Sequence, residues 1–194
     1  MLNRLERLDQ DLTLEINSWN SPISDKIWEF FSDIPVWIPL YILIAGFVVY
    51  RLGWKKGLII IAAALLTFGF CDQFAGYIKA LTERLRPLRD PYMISNGLHI
   101  LEKGGKFGFF SAHAANAFGL ATSTFIGLRL DKRLKYRGYA IFMFSWASLV
   151  GISRIFVGKH YLGDVFIGII VGIAAGAVFG NLAIWVIEKK LKNI

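Results

Sequence analysis

Hydrophobic positions in this chain are gathered into long runs rather than alternated with polar ones. Five runs, roughly Pro35–Tyr50, Gly57–Ile78, Ser111–Leu130, Tyr136–Ile152 and Tyr161–Ile187, are long enough to cross a bilayer. A helix needs about 20 residues for this at ~1.5 Å rise per residue. The first run is short and borrows Ile34 and Leu52 at its ends. Ahead of it the pattern changes. Leu2, Leu5, Leu8, Leu12 and Ile16 recur at helical spacing with Arg4, Glu6, Arg7, Asp9, Asp11 and Glu15 among them. That spacing predicts an amphipathic helix lying at an interface, and its charges interrupt it too often for a signal peptide. A second short amphipathic helix starts at Ser21-Pro22, with Ile27, Trp28, Phe30 and Phe31 on its apolar side. The longest connection, Leu88 to Phe109, contains Pro91, Gly97, Gly104, Gly105 and Gly108 and reads as an irregular cap with one short strand, Leu98–Leu101. The expected fold is all-α: a polytopic membrane helix bundle of about five transmembrane helices plus N-terminal amphipathic interfacial helices. It forms one membrane-embedded domain over residues 1–194, with 1–34 as the interfacial segment and 88–109 as the outer loop.

Composition agrees with this class: 55% of residues are apolar and 19% charged. The net charge is +8, from 22 Lys and Arg against 14 Asp and Glu. In a soluble protein that balance suggests nucleic acid. Here the basic residues flank apolar runs, so an orientation bias and an anionic ligand account for them, and no nucleic-acid partner is expected. Arg51, Lys55 and Lys56, then Arg129, Lys132, Arg133, Lys135 and Arg137, then Lys189, Lys190 and Lys192 fall on one side, read as cytoplasmic. The other side holds as many cations, but Arg4, Arg7 and Lys26 sit among acids, and several others belong to motifs described next. The N-terminus is therefore placed outside and the C-terminus inside. Small size and basic character suggest a bacterial inner membrane. The single cysteine, Cys71, cannot form an internal disulfide and leaves the redox compartment unreadable.

Three short segments collect most of the unusual polar residues, all at the outer membrane face. In the first, Lys79 and Arg86 are seven residues apart, two helical turns, and point the same way before Pro87 ends the helix. Two cations there suit an anionic group, or are side chains snorkelling from a span's end. In the second, Phe110-Ser111-Ala112-His113 opens a span. A helix N-terminus offers unpaired backbone N–H groups and a positive dipole end. Ser111 alone is an ordinary N-cap, and Asn116 either orients His113 or bonds a neighbouring helix. In the third, Ser153-Arg154 is followed by Lys159-His160 and Asp164. His160 and Asp164, four apart on one helix face, allow the carboxylate to hold one imidazole nitrogen and leave the other as nucleophile or base. The bland alternative is a structural pair between helices, but ionisable residues inside a span are functional by default. His99, in the outer loop, reads as a surface histidine. His113 and His160 could ligate a metal, yet four cations (Lys79, Arg86, Arg154, Lys159) would repel a divalent ion, so no metal and no cofactor is expected.

These three segments resemble the three-part signature of the type 2 phosphatidic acid phosphatase superfamily, which includes lipid phosphatases and vanadium haloperoxidases. Lys79-x6-Arg86-Pro87, Ser111-x-His113 and Ser153-Arg154-x5-His160-x3-Asp164 match its order and spacing, and with their spans cover roughly residues 57 to 187. The second motif departs from the usual Pro-Ser-Gly-His in having Phe110 and Ala112, though Ala112 keeps a backbone N–H. The resemblance implies roles that the residues alone do not separate. His160 attacks phosphorus and forms a phosphohistidine, Asp164 orients it, and His113 protonates the leaving oxygen and then activates water. Lys79, Arg86, Ser111, Ala112 and Arg154 bind the substrate phosphate. The implied activity is metal-independent hydrolysis of a lipid phosphate, with membrane lipids as the other partners. Undecaprenyl diphosphate, phosphatidylglycerol phosphate and a lipid A phosphate all fit as substrates. A lipid phosphotransferase using the same site, and a non-enzymatic anionic-lipid-binding protein, are the alternatives. A peroxidase fits less well, because the site lies at the membrane.

Overall fold

The computed structural model describes residues 2–190. Lys192 and the side chain of Leu2, both named above, lie outside the described residues. The helices are α1 (Leu2–Ser18), α2 (Pro22–Ser32), α3 (Ile38–Leu52), α4 (Trp54–Thr82), α5 (Pro91–Ser95), α6 (Ala112–Leu128), α7 (Arg137–Phe156) and α8 (Leu162–Lys190). Local sequence explains several boundaries. Ser21 and Ser24 form a reciprocal capping box at the start of α2, and Pro22 supplies a first helical residue that needs no N–H acceptor. Gly53, at φ +78°, ends α3 and begins α4 with a backbone shape that favours glycine.

Among the described residues, four segments are long and apolar enough to cross a membrane: Pro35–Leu52, Trp54–Thr82, Arg137–Phe156 and Leu162–Lys190. The expected fifth span is α6. Its 17 residues rise about 25 Å, the short end of what crosses a bilayer core. α6 is also the most enclosed helix, packed against α4, α7 and α8.

The α6–α8 contact determines where the polar motifs meet. Gly168, Gly172, Gly176 and Gly180 line one face of α8 at four-residue spacing. A methyl group built on Gly168 would lie 2.5 Å from Ser111 O, on Gly172 2.3 Å from Ala115 O, and on Gly176 2.7 Å from Gly119 O. Only hydrogen leaves room for the two backbones at this distance. Lipid provides no hydrophobic drive between helices, so such close van der Waals packing is what holds them. The close approach ends in a hydrogen bond from Ser111 N to Asp164 O at 3.0 Å, joining the second motif to the third.

α1 is amphipathic as expected, but its orientation carries information. Leu5, Leu8 and Leu12 are exposed, whereas Gln10, Thr13 and Asn17 are buried against the protein. α2 follows, and its Trp28 stacks on Phe156 at the end of α7, ring centroids 4.4 Å apart. The strand expected over Leu98–Leu101 does not form. His99 N and O are instead taken by Asn17 Oδ1 and Nδ2, at 2.8 and 3.0 Å, which removes the groups a ladder would use. The pairing in this region is an isolated bridge between Leu85 and Phe107. His99 is also not a plain surface histidine, since Nε2 lies 3.0 Å from Asp25 Oδ2.

At the opposite end of the bundle, Asp131 joins the α3–α4 and α6–α7 connections. It pairs with Arg51 Nη2 at 2.6 Å and Arg133 Nε at 2.7 Å, and accepts from Tyr136 OH at 2.6 Å.

Candidate active site

The first motif is assembled differently from the sequence expectation. α4 stops at Thr82 and Glu83 turns left-handed, φ +47°. Arg86 is extended, as a residue before proline prefers to be. Lys79 and Arg86 therefore do not share a helix face. Arg86 is fixed instead by Arg86 N to Lys106 O and Arg86 Nε to Phe107 O, both 3.0 Å. Gly108 lets its stem pass close: a methyl there would lie 3.0 Å from Arg86 Cγ and 3.3 Å from Asp164 Oδ2.

The second motif forms as expected. Ser111 is the N-cap of α6, fully buried, its Oγ accepting from Ala114 N at 3.4 Å. Its hydroxyl proton stays available to an anion, and the first-turn N–H groups of Ala112 and His113 have no intrahelical acceptor. Phe110, in the place of the family's proline, is a core residue tilted against Phe74. The Asn116 Oδ1 is buried without a hydrogen-bond partner, so that atom serves neither expected role.

In the third motif, His160 precedes α8 rather than lying on it. The helix begins at Leu162, and Gly158 at φ +76° turns the chain ahead of it. His160 Nδ1 still reaches Asp164 Oδ2 at 3.2 Å, because Asp164 reaches back across the first turn and also accepts from Tyr161 N at 3.2 Å. Both side chains are buried, 2% and 0% exposed. An N–H at Nδ1 donated to Asp164 leaves the lone pair on Nε2. Burial first, then Arg154, Arg86, Lys79 and Lys159, push the His160 imidazole well below its ordinary value. It is therefore neutral at neutral pH, with the Nε2 lone pair unprotonated.

The cations divide into two sets. Lys159 pairs with Glu102. Burial would raise the Glu102 carboxyl, but Lys159, Ser32 and Arg154 hold it below its usual range. Arg84 makes the ion pair that the sequence did not disclose: Nη1 lies 2.6 Å from Asp164 Oδ1 and Nη2 lies 2.7 Å from Asp9 Oδ2. A buried aspartate in a span demands a counter-cation, and that demand was the available signal. Lys79, Arg86 and Arg154 form no ion pair with a carboxylate among the described residues. Arg154 is 2% exposed. Its Nη1 donates to Ser32 O at 3.2 Å and to Ser32 Oγ, while its Nε has no partner.

Two cavities meet at His113, Ser32 and Ile34. One, of about 400 Å³, is apolar and runs among α3, α4, α6 and α7, past Trp37, Ile44, Leu65, Phe68 and Trp146. The other, about 580 Å³, has a mixed lining and opens past the charged side chains of Lys26, Glu29, Asp33, Glu102 and Lys159. A neutral histidine, three unpaired cations and an adjoining apolar cavity suit a phosphate carried on a lipid.

The sequence pattern of the PAP2 superfamily, that of the resemblance above, matches residues 53–188. The chain belongs to the PAP2 superfamily. It is similar to a lipid A 4'-phosphatase of Bacteroides thetaiotaomicron, 34% identical over 94% of this chain and 80% of that protein. It also resembles the lipid A 4'-phosphatase of Porphyromonas gingivalis, 30% identical over 87% of this chain and 70% of that one. Among solved structures, the PAP2-type phosphatidylglycerolphosphate phosphatase of Bacillus subtilis has the same fold. The TM-score is 0.69, at 23% identity over 97% of this chain and 88% of that one. Aquifex aeolicus LpxE aligns with a TM-score of 0.63, at 24% identity over 87% of this chain and 92% of that one. This chain is an integral membrane lipid phosphatase of the PAP2 superfamily. The family match starts at residue 53, so α1 and α2 lie ahead of it.

Proposed function

We propose that the chain, working as one membrane-embedded unit, removes a phosphate monoester from a lipid A-type glycolipid at the outer leaflet of a bacterial inner membrane, without a metal. The observation that carries the chemistry is the surplus of Lys79, Arg86 and Arg154 around the His160–Asp164 pair. A phosphate dianion supplies the charge they lack. The two lipid A 4'-phosphatase relatives support the choice of lipid.

In this reading Lys79, Arg86, Arg154, Ser111 Oγ and the Ala112 N–H hold the phosphoryl oxygens. His160 Nε2 attacks phosphorus, and the bond from phosphorus to the lipid oxygen breaks. His113, at the junction of the two cavities, gives that oxygen a proton. Water then attacks the phosphohistidine while His113 takes its proton, and inorganic phosphate leaves. Asp164 holds the imidazole in register throughout.

Purified protein in detergent with EDTA should release phosphate from a lipid A 4'-phosphate faster than from phosphatidylglycerol phosphate or undecaprenyl diphosphate. Faster release from either of the others would reassign the substrate, and activity lost in EDTA and restored by a divalent ion would overturn the metal-free mechanism. Orientation is tested with cysteines at Lys55 and Asn96 in a Cys71→Ala background. They should label from opposite sides with an impermeant thiol reagent, Asn96 from outside.

A further inference from the structure

The turn that carries His160 is not held by the family's motifs alone. α1 lies along it and takes its backbone groups at both ends. Asn17 Nδ2 donates to Ile155 O at 3.0 Å and Phe156 O at 3.1 Å, where α7 runs out. Thr13 Oγ1 accepts from Leu162 N at 3.0 Å, and Asp9 Oδ1 from Gly163 N at 2.7 Å, where α8 begins. These are the groups that helix ends leave without intrahelical partners. Thr13 and Asn17 are each 1% exposed. Gly163 permits the contact, since a methyl on it would lie 2.8 Å from Asp9 Oδ2. The same carboxylate binds Arg84, whose other arm binds Asp164, which in turn holds His160. Arg84 also lies over the Tyr161 ring, 4.1 Å from its centroid, and Tyr161 OH donates to Asp90 Oδ2, which also accepts from Gln10 Nε2.

We infer that α1 is a positioning element of the active site. Asp9, Thr13 and Asn17 fix the 155–163 turn, and Asp9 acts through Arg84 to aim Asp164 and hence the His160 imidazole. An alternative role, a membrane anchor only, needs the exposed Leu5, Leu8 and Leu12 and makes no use of three polar residues aimed at backbone groups. Asp164 without Arg84 would be a buried carboxylate beside a neutral histidine, and Arg84 without Asp9 would spread its charge over one partner rather than two. Attack in line at phosphorus requires the Nε2 lone pair to be aimed, and displacement of about 1 Å can cost about a hundredfold in rate.

The inference rests on His160 being the nucleophile, and the test separates the two. The full chain is purified with Asp9→Asn, Thr13→Val or Asn17→Ala, and kcat, KM and melting temperature are measured on the best lipid substrate, with rapid-quench measurement of phosphoenzyme formation. Asp9→Asn keeps an acceptor for Gly163 N but loses the charge facing Arg84. Thr13→Val keeps shape and loses the acceptor, while Thr13→Ser keeps the acceptor. Asp9→Asn and Thr13→Val should each lower kcat and the phosphoenzyme burst about ten- to a hundredfold, with KM within about twofold and little change in melting temperature. Thr13→Ser should remain within about threefold of wild type. Unchanged kcat in Asp9→Asn and Thr13→Val overturns the inference. So does a rise in KM alone, or a loss of activity in Thr13→Ser as large as in Thr13→Val. If Asn17→Ala does not fold, the near-isosteric pair still decides. A phosphoenzyme that forms in His160→Ala would instead overturn the nucleophile assignment on which the inference rests.

Discussion

At one end of the bundle Asp131 is surrounded by Arg51, Arg133 and Tyr136, and each of these has the aspartate as a partner. At the other end Asp164, Asp9 and Glu102 satisfy Arg84 and Lys159, and Lys79, Arg86 and Arg154 remain over. Both clusters place arginines against a buried aspartate at a helix junction. The first is closed. Each of its arginines has the Asp131 carboxylate as a partner, and Arg133, Tyr136 and Arg51 hold that carboxyl well below the usual carboxylate range. It joins two connections, and no cation in it lacks a carboxylate partner. The second is left open by about the charge of one phosphate, and it surrounds a histidine that burial and those same cations keep neutral. An ion-pair network alone does not mark a site. Uncompensated charge around a neutral histidine points to one.

The largest effect should come at the centre of the open cluster. His160→Ala should lose phosphate release by several orders of magnitude with folding and expression near normal, and substantial residual turnover would refute the nucleophile. His113→Ala should be slowed about a hundred- to ten-thousandfold on a lipid monophosphate, whose leaving group is an alkoxide. On an activated aryl phosphate, whose phenolate leaves unaided, it should be much less impaired. If the first-turnover burst slows equally for both substrates, His113 is a phosphate ligand rather than an acid. Lys79→Met should lose about a hundredfold in kcat/KM, the typical cost of one oxyanion donor, and unchanged kcat/KM would remove it from the phosphate cradle.

The candidate site residues were legible because their requirements are local. Ser111 is a cap wherever a helix follows it, and His160 and Asp164 are close enough in sequence to meet in more than one geometry. The geometry itself was not legible. Glu83 turns left-handed without being a glycine, so α4 stops before Arg86, and His160 sits in a turn that Gly158 makes. The glycine stripe of α8 stood in the sequence at four-residue spacing, masked by the apolar run around it. Arg84 and Asp9, 75 residues apart, meet only because α1 folds back across the start of α8. No periodicity encodes such a contact, although a buried aspartate signals that a cation must be found for it. The strand expected at Leu98–Leu101 failed for a related reason, its backbone having been taken by Asn17.

The smallest effect on turnover should come from the closed cluster. Asp131→Asn should lower the melting temperature at neutral pH and leave kcat/KM within about twofold, as expected for a site remote from the chemistry. The pH dependence has a definite sign. A carboxyl held below its unfolded value stabilises the fold above that value, about pH 4, and the benefit is lost as pH falls through the folded value. The gap in melting temperature between wild type and Asp131→Asn should therefore be full above about pH 5 and close as the solution is acidified below about pH 4. A gap that widens in acid, or a large loss of turnover, would mean that the two ends of the bundle are not separate in function.

The most direct test of the central claim is to trap the phosphoenzyme. Wild-type protein incubated with a lipid substrate labelled at its phosphate, then quenched in alkali, should retain label in an acid-labile, alkali-stable bond. Peptide mapping should place that label on His160, in the presence of EDTA, with none in His160→Ala. Rapid phosphate release with no labelled protein at any quench time, or label that persists in His160→Ala, would contradict the account.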